Sequence, residues 1–250
     1  MVKISIRGVS NFLSGRFVHK ELDLDIHRGE TLVIIGGSGT GKSVLLKSIC
    51  GLMTPNAGSI KIDGEEIINR PESKMTEIRE KFGVLFQGAA LFDSLNVYEN
   101  VGFALKRLTR LSDARIKEIA DEKLAQVGLR GVGFMKPAEL SGGMKKRVGL
   151  ARAIAMDPEI ILYDEPTTGL DPIMSDVTNE LIIRMGIPEN VTSIVVTHDM
   201  VSAYKVGTRI AMLHEGKIIA IGTPDEIRKS DNPYVQQFIL GKAEGPIQVL

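Results

Sequence analysis

The sequence predicts an α/β fold built on a largely parallel sheet. Short apolar runs such as Leu32–Ile35 and Ile160–Tyr163 stop abruptly at glycine or acidic residues, as buried strands do. Stretches with helical spacing of apolar residues separate them. Strands and helices alternate along most of the chain, the pattern of parallel βα units.

In chain order, residues 2 to 9 alternate apolar and polar (Val2, Ile4, Ile6 against Lys3, Ser5, Arg7) and read as a half-buried strand. Leu22, Leu24 and Ile26 repeat that alternation. Thr31–Ile35 is continuously apolar and runs into glycines, and a helix closed by Gly51 follows. Ser59–Ile62 and Val84–Phe86 are further short strands. Val97, Val101, Ala104, Leu105 and Leu108 then share one helix face. Ile116, Ile119, Ala120, Leu124 and Val127 share another, with Gly128 as its C-terminal cap. Strand signals return at Ile160–Tyr163, Ser193–Val196, Ile210–Leu213 and Ile218–Ile221, the last two joined as a hairpin through His214–Lys217. This divides the chain into a core of 1–87 and 158–230 that includes an antiparallel β element, an inserted helical subdomain of 88–157, and a C-terminal tail of 231–250.

Lysine plus arginine and aspartate plus glutamate each number 31, so the chain lacks the basic excess expected of a nucleic-acid binder. The basic cluster Lys145-Lys146-Arg147 reads as a solvated helix face. The single cysteine, Cys50, fits a reducing compartment. No apolar run approaches the length that spans a bilayer, and Met1–Ser5 lacks the apolar stretch of a leader, so a soluble protein held at a membrane only through a partner is expected.

Gly36-Gly37-Ser38-Gly39-Thr40-Gly41-Lys42-Ser43 fits G-x-x-x-x-G-K-[ST] in full, with a strand before it and a helix after it. Glycines let backbone N–H groups face phosphate oxygens, and the helix N-terminus adds a favourable dipole. Lys42 would reach the β- and γ-phosphates of ATP, and the Ser43 hydroxyl would ligate Mg²⁺. The strand Ile160–Tyr163 ends in Asp164 and Glu165. Ligands sit at the carboxyl ends of parallel strands, so both acids should lie beside the cradle. Asp164 would hold Mg²⁺ and Glu165 would polarise the attacking water. Ser141 caps a helix through Ala155, and Gly142 and Gly143 expose N–H groups at its positive end, a second anion site on the chain.

Leu140-Ser141-Gly142-Gly143, placed after the cradle and before the acidic strand, resembles the signature of the ATP-binding cassette (ABC) ATPases. Six motifs stand in that family's order over nearly the whole chain. The resemblance implies a P-loop NTPase with a RecA-like core. It makes Gln87 the Q-loop glutamine that touches Mg²⁺ and water, Gly169-Leu170-Asp171 the D-loop, and His198 the switch histidine on the γ-phosphate. It implies a head-to-tail homodimer, in which Ser141–Gly143 of one copy cover the ATP held by the cradle of the other and Asp171 lies at the interface. The family stacks an aromatic on adenine. Phe12 is the candidate, with its spacing off by one residue, and Phe17 the second choice; a packing role fits either equally.

The run Phe86–Val97, the run Glu139–Arg147, Asp171-Pro172-Ile173 and Gly245-Pro246-Ile247 are similar to the ATPase subunits of Mla-type (maintenance of lipid asymmetry) phospholipid transporters and the related Mce systems. That implies an integral membrane permease, an MCE-domain lipid-binding protein and a small STAS-domain subunit as partners, at the cytoplasmic side of a bacterial inner membrane. Ala89, Leu91, Phe92 and Leu95 become the expected exposed or half-exposed contacts for a permease helix. Other importer-type ATPases, for amino acids or cell division, share parts of these patterns. A soluble cassette acting on DNA or ribosomes fits least, since no second cassette or long coiled-coil insertion is present.

Overall fold

A computed structural model describes residues 1–186 and 191–248, so the last two positions of the expected tail lie outside the described residues. The elements are β1 (Val2–Leu13), β2 (Arg16–His27), β3 (Thr31–Ile35), α1 (Lys42–Ile49), β4 (Ala57–Ile62), β5 (Glu65–Glu66), α2 (Glu72–Arg79) and β6 (Phe82–Leu85). Then follow α3 (Val97–Val101), α4 (Phe103–Leu108), α5 (Asp113–Gln126), a single 3₁₀ turn at Pro137–Glu139, and α6 (Gly142–Ala153). The remainder is β7 (Ile160–Asp164), α7 (Pro172–Gly186), β8 (Thr192–Thr197), α8 (Met200–Val206), β9 (Arg209–His214), β10 (Lys217–Gly222), α9 (Pro224–Arg228) and α10 (Pro233–Leu240).

Two sheets result. The larger runs β10-β9-β3-β8-β7-β6, parallel except for β10, which pairs antiparallel with β9 through the expected hairpin. The smaller, β2-β1-β4-β5, is antiparallel. The side-chain period of a strand explains why β3 reads as solidly apolar. Leu32 and Ile34 face a core closed by α1 and the antiparallel sheet, while Val33 and Ile35 face a second core closed by α3, α5, α6, α7 and α8. The strand is buried on both sides and leaves no polar alternation to see.

Between β6 and β7, neighbours in the parallel sheet, every regular element is a helix. The helix expected over 97–108 is two, broken at Gly102, where any Cβ would lie 2.5 Å from the Ile116 methyl of α5. The tail folds further than its sequence suggested: α10 is capped by Asn232, and Gln237 accepts a hydrogen bond from Ile247 N (2.6 Å) and donates one to Ile247 O (3.0 Å). No described helix is long and apolar enough to cross a membrane.

Candidate functional site

The cradle begins where β3 stops. Gly41 takes a left-handed φ of 103° and hands the chain into α1, so Lys42 and Ser43 open that helix. A side chain at Gly41 would collide with Val18 and with His19 Nε2, at 2.5 and 2.7 Å. His19 is fully buried below the loop; its Nε2 lies 3.2 Å from the Gly41 carbonyl and its Nδ1 2.9 Å from the Asn11 side-chain amide. Burial pushes the His19 pKa down to about 4. The ring is therefore neutral near pH 7, with one proton to share between the two oxygens it faces.

Lys42 is buried, and its Nζ donates to Gly36 O (2.7 Å) and Gly37 O (2.9 Å). It stands 3.9 Å from Glu165 Oε1. Desolvation lowers its pKa, with Glu165 and Asp164 opposing. Ser43 Oγ donates to Asp164 Oδ1 (2.8 Å). Burial pushes the Asp164 carboxyl up, the Ser43 hydrogen bond offsets part of this, and the Glu165 charge adds to the rise. Glu165 follows β7 with a left-handed φ of 50°, unusual for a residue with a side chain. Its Oε2 accepts from Thr168 Oγ1 (2.9 Å) and lies 2.9 Å from His198 Nδ1 at the end of β8. Lys42, Ser43, Glu165, His198 and Gln87 line one cleft of about 500 Å³. The carboxyl ends of β3, β6, β7 and β8 thus deliver these five side chains, as a parallel sheet should.

The other expected residues lie elsewhere. Ser141 caps α6 by accepting from Met144 N (3.3 Å), and Ser141, Gly142 and Gly143 are not among the residues that line the cleft. Asp171 also stays outside it; its Oδ1 accepts from Ile173 N and Met174 N (both 3.0 Å), capping α7.

Phe12 is corrected. It is 45% exposed, packs edge-on against Phe17 at 5.0 Å, and does not line the cleft; nor does Phe17. The strand alternation that points Asn11 and His19 inward turns these two rings outward. The wall beside the cradle is made by Leu13, Ser14, Arg16 and Val18 around the β1–β2 turn. Lys146 is corrected as well. It is 8% exposed, and its Nζ donates to Glu165 O (3.2 Å), Pro166 O (2.8 Å) and Thr168 O (2.6 Å), pinning the segment that carries Glu165. A run of three basic residues gives no sign of which one turns inward; its helical phase with Leu150 and Ala153, four and seven residues on, would have been the clue.

A second concavity, about 700 Å³, opens between β6 and the helices, with Phe82, Val84, Phe86, Ala90, Phe92, Phe103 and Arg152 among its lining. Of the expected contacts, Phe92 is 44% exposed and Leu91 and Leu95 are half-buried. Ala89 is not one of them: it is 1% exposed because α6 packs directly on it.

The family profile described as ABC transporter matches residues 19–168. The chain is 43% identical over 246 residues to the "Probable ribonucleotide transport ATP-binding protein mkl" of Mycobacterium leprae, covering 98% of this chain and 71% of that one. It is 38% identical over 245 residues to the "Intermembrane phospholipid transport system ATP-binding protein MlaF" of Haemophilus influenzae, covering 98% and 93%. Among solved structures, a dimeric post-hydrolysis state of the ATP-binding cassette MJ0796 bound to ADP and Pi superposes with a TM-score of 0.82 at 32% identity, over 88% of this chain and 98% of that one.

Proposed function

Since the chain belongs to the ABC transporter ATPases and is an ATP hydrolase of that family, we propose that it powers phospholipid transport between two membranes as the homodimeric motor of an Mla-type system. The observation that carries the two-copy reading is a separation. Lys42, Ser43, Gln87, Glu165 and His198 share one cleft, while Ser141–Gly143 lie outside it. A second copy, arranged head to tail, would supply those N–H groups to the γ-phosphate, with Asp171 at the junction. The MJ0796 cassette, similar over most of this chain, is itself dimeric.

The oxygen donors fit a hard cation. Ser43 Oγ and the Asp164 carboxylate adjoin, and among the described residues the half-buried Asp164 makes no ion pair, Lys47 and Lys42 relieving its charge only in part. Ser43, Asp164 and Gln87 would hold Mg²⁺, which when bound neutralises phosphate charge. Lys42 would leave the Gly36 and Gly37 carbonyls for the β- and γ-phosphate oxygens. Glu165 would orient the water, its carboxylate held by Thr168 and His198, with Nε2 of His198 free to meet the γ-phosphate.

The substrate class rests on the similarity to the phospholipid ATPase across nearly both full lengths. The mycobacterial relative named for ribonucleotide transport is the observation that favours a second reading. On the first reading, the 700 Å³ groove receives a helix of an integral permease, and an MCE-domain protein and a STAS-domain subunit complete an assembly at the cytoplasmic side of an inner membrane. Two measurements test this. Glu165→Gln should bind ATP, dimerise stably and lose turnover; undiminished turnover removes Glu165 from its role. Purification from native membranes in mild detergent, with mass spectrometry of partners and lipids, should recover a permease, an MCE-domain protein and phospholipid. A permease without an MCE-domain protein would refute the lipid assignment and leave the ATPase intact.

A further inference from the structure

The segment after Gln87 is held in a conformation its residues do not favour. Ala89 and Ala90 both take left-handed φ angles, 61° and 48°. Two consecutive residues with a Cβ in that region need an outside restraint. The restraint visible here is Arg152, in the last turn of α6: Nη2 donates to Ala89 O and Nη1 to Ala90 O, each at 2.7 Å. The fork of the guanidinium matches two successive carbonyls that point the same way. Among the described residues no carboxylate pairs with Arg152, and its burial lowers its pKa with no charge partner opposing, so those carbonyls are its counterparts. The helix comes close enough for this because residue 149 is glycine; a Cβ there would lie 2.9 Å from Leu85 and 3.2 Å from Ala89.

Three places meet at this contact. Gln87, two residues before the clamped pair, lines the nucleotide cleft. Arg152 shares one helix with the Ser141–Gly143 cap. Arg152 and Ala90 both line the groove between β6 and the helices. We propose that Arg152 is the positioning residue for Gln87. By clamping the left-handed pair it fixes how the chain leaves Gln87. This rests on the reading of Gln87 as a residue of the ATP site.

The test uses the full chain with ATP and a fluorescent ATP analogue. Turnover per bound nucleotide and nucleotide Kd are measured for Arg152→Met, for Arg152→Met with Ala90→Gly, and for Gln87→Ala. Misplacement of a reacting group costs on the order of tenfold to a hundredfold in rate, so Arg152→Met should lose about that much turnover per bound nucleotide while Kd stays within about twofold. Glycine adopts the left-handed region without strain, so Ala90→Gly should restore a large part of the loss. A purely structural arginine would lower the fraction of protein that binds nucleotide and leave turnover per bound site alone. Normal turnover per site in Arg152→Met beside a slow Gln87→Ala would overturn the inference and spare the Gln87 reading, as would failure of glycine to rescue. Normal turnover in Gln87→Ala would overturn both. Should Arg152→Met not fold, Arg152→Lys keeps the charge and loses the fork, and about a tenfold fall on the same readout is expected.

Discussion

Acidification should destabilise this chain through one buried ring. His19 is buried between Asn11 and the Gly41 carbonyl, and its pKa is pushed down to about 4 by desolvation. In the unfolded chain it returns to the ordinary value near 6.5. Between these two values the unfolded state holds the extra proton, so stability is complete above the unfolded pKa and falls as pH drops towards the folded one. At about 1.36 kcal/mol per pKa unit, moving from about pH 7 to about pH 5 should remove about 2 kcal/mol. The assay is urea unfolding at both pH values for the native chain and for His19→Gln, whose amide still donates to Gly41 O but does not titrate. Every other titrating group cancels in the comparison. With a urea slope of about 2–3 kcal/mol per molar, the native midpoint should fall by about 0.7–1 M more than that of the variant. Equal pH dependence in the two proteins would refute the reasoning, since it would mean that the ring is solvated or does not bear on the loop.

Lys146→Met should lower Tm by about 5–15 °C: hydrogen bonds from a charged donor contribute about 1.5–3 kcal/mol each, the cost of burying the ammonium offsets much of that, and about 2–4 kcal/mol remains, readable by calorimetry. Asp164→Asn should raise Tm of the nucleotide-free chain while weakening Mg²⁺-dependent ATP binding. The Asp164 pKa is raised, so its ionisation costs stability as pH climbs through and beyond the ordinary carboxylate range, and an amide removes that cost while still accepting from Ser43. Arg16→Ala should weaken ATP binding by about threefold to tenfold, the size of a cation–π or ion contact, with Phe12→Ala near neutral, measured by titration with Glu165→Gln as the background.

The residues that gather in the candidate cleft were legible because a nucleotide site would demand particular residues at particular spacings. A backbone that wraps phosphate would need the glycines of 36–41, and a strand that ends on a metal would need an acid such as Asp164. The sheet was legible for a similar reason: β3 came out at Thr31–Ile35 because a strand buried on both faces reads as an apolar run, here Leu32–Ile35. What stayed hidden depended on direction in space. Whether Phe12 or Asn11 faces the cradle is decided by register shifts in the β1–β2 pairing around Asn11 and Phe12, which residue types do not reveal. The inward turn of Lys146 is a matter of helical phase. The burial of Ala89 needed knowledge that α6 crosses β6 at a glycine.

The central strand also sets an order of events during synthesis. β3 pairs with β8 and β9, Thr31 against Ser193 and Leu32 against Arg209, so its flanks emerge about 160 to 180 residues after it does. At about 5–20 residues per second, Leu32–Ile35 wait on the order of 10–30 s with no strand on either edge. The antiparallel β1, β2 and β4 are all made within the first 62 residues and can meet almost at once. They offer the waiting strand an apolar floor through Ile4, Ile6, Leu22 and Ile60. A lesion that loosens this early sheet should therefore show first as aggregation of newly made chains, while protein that has already matured keeps its turnover.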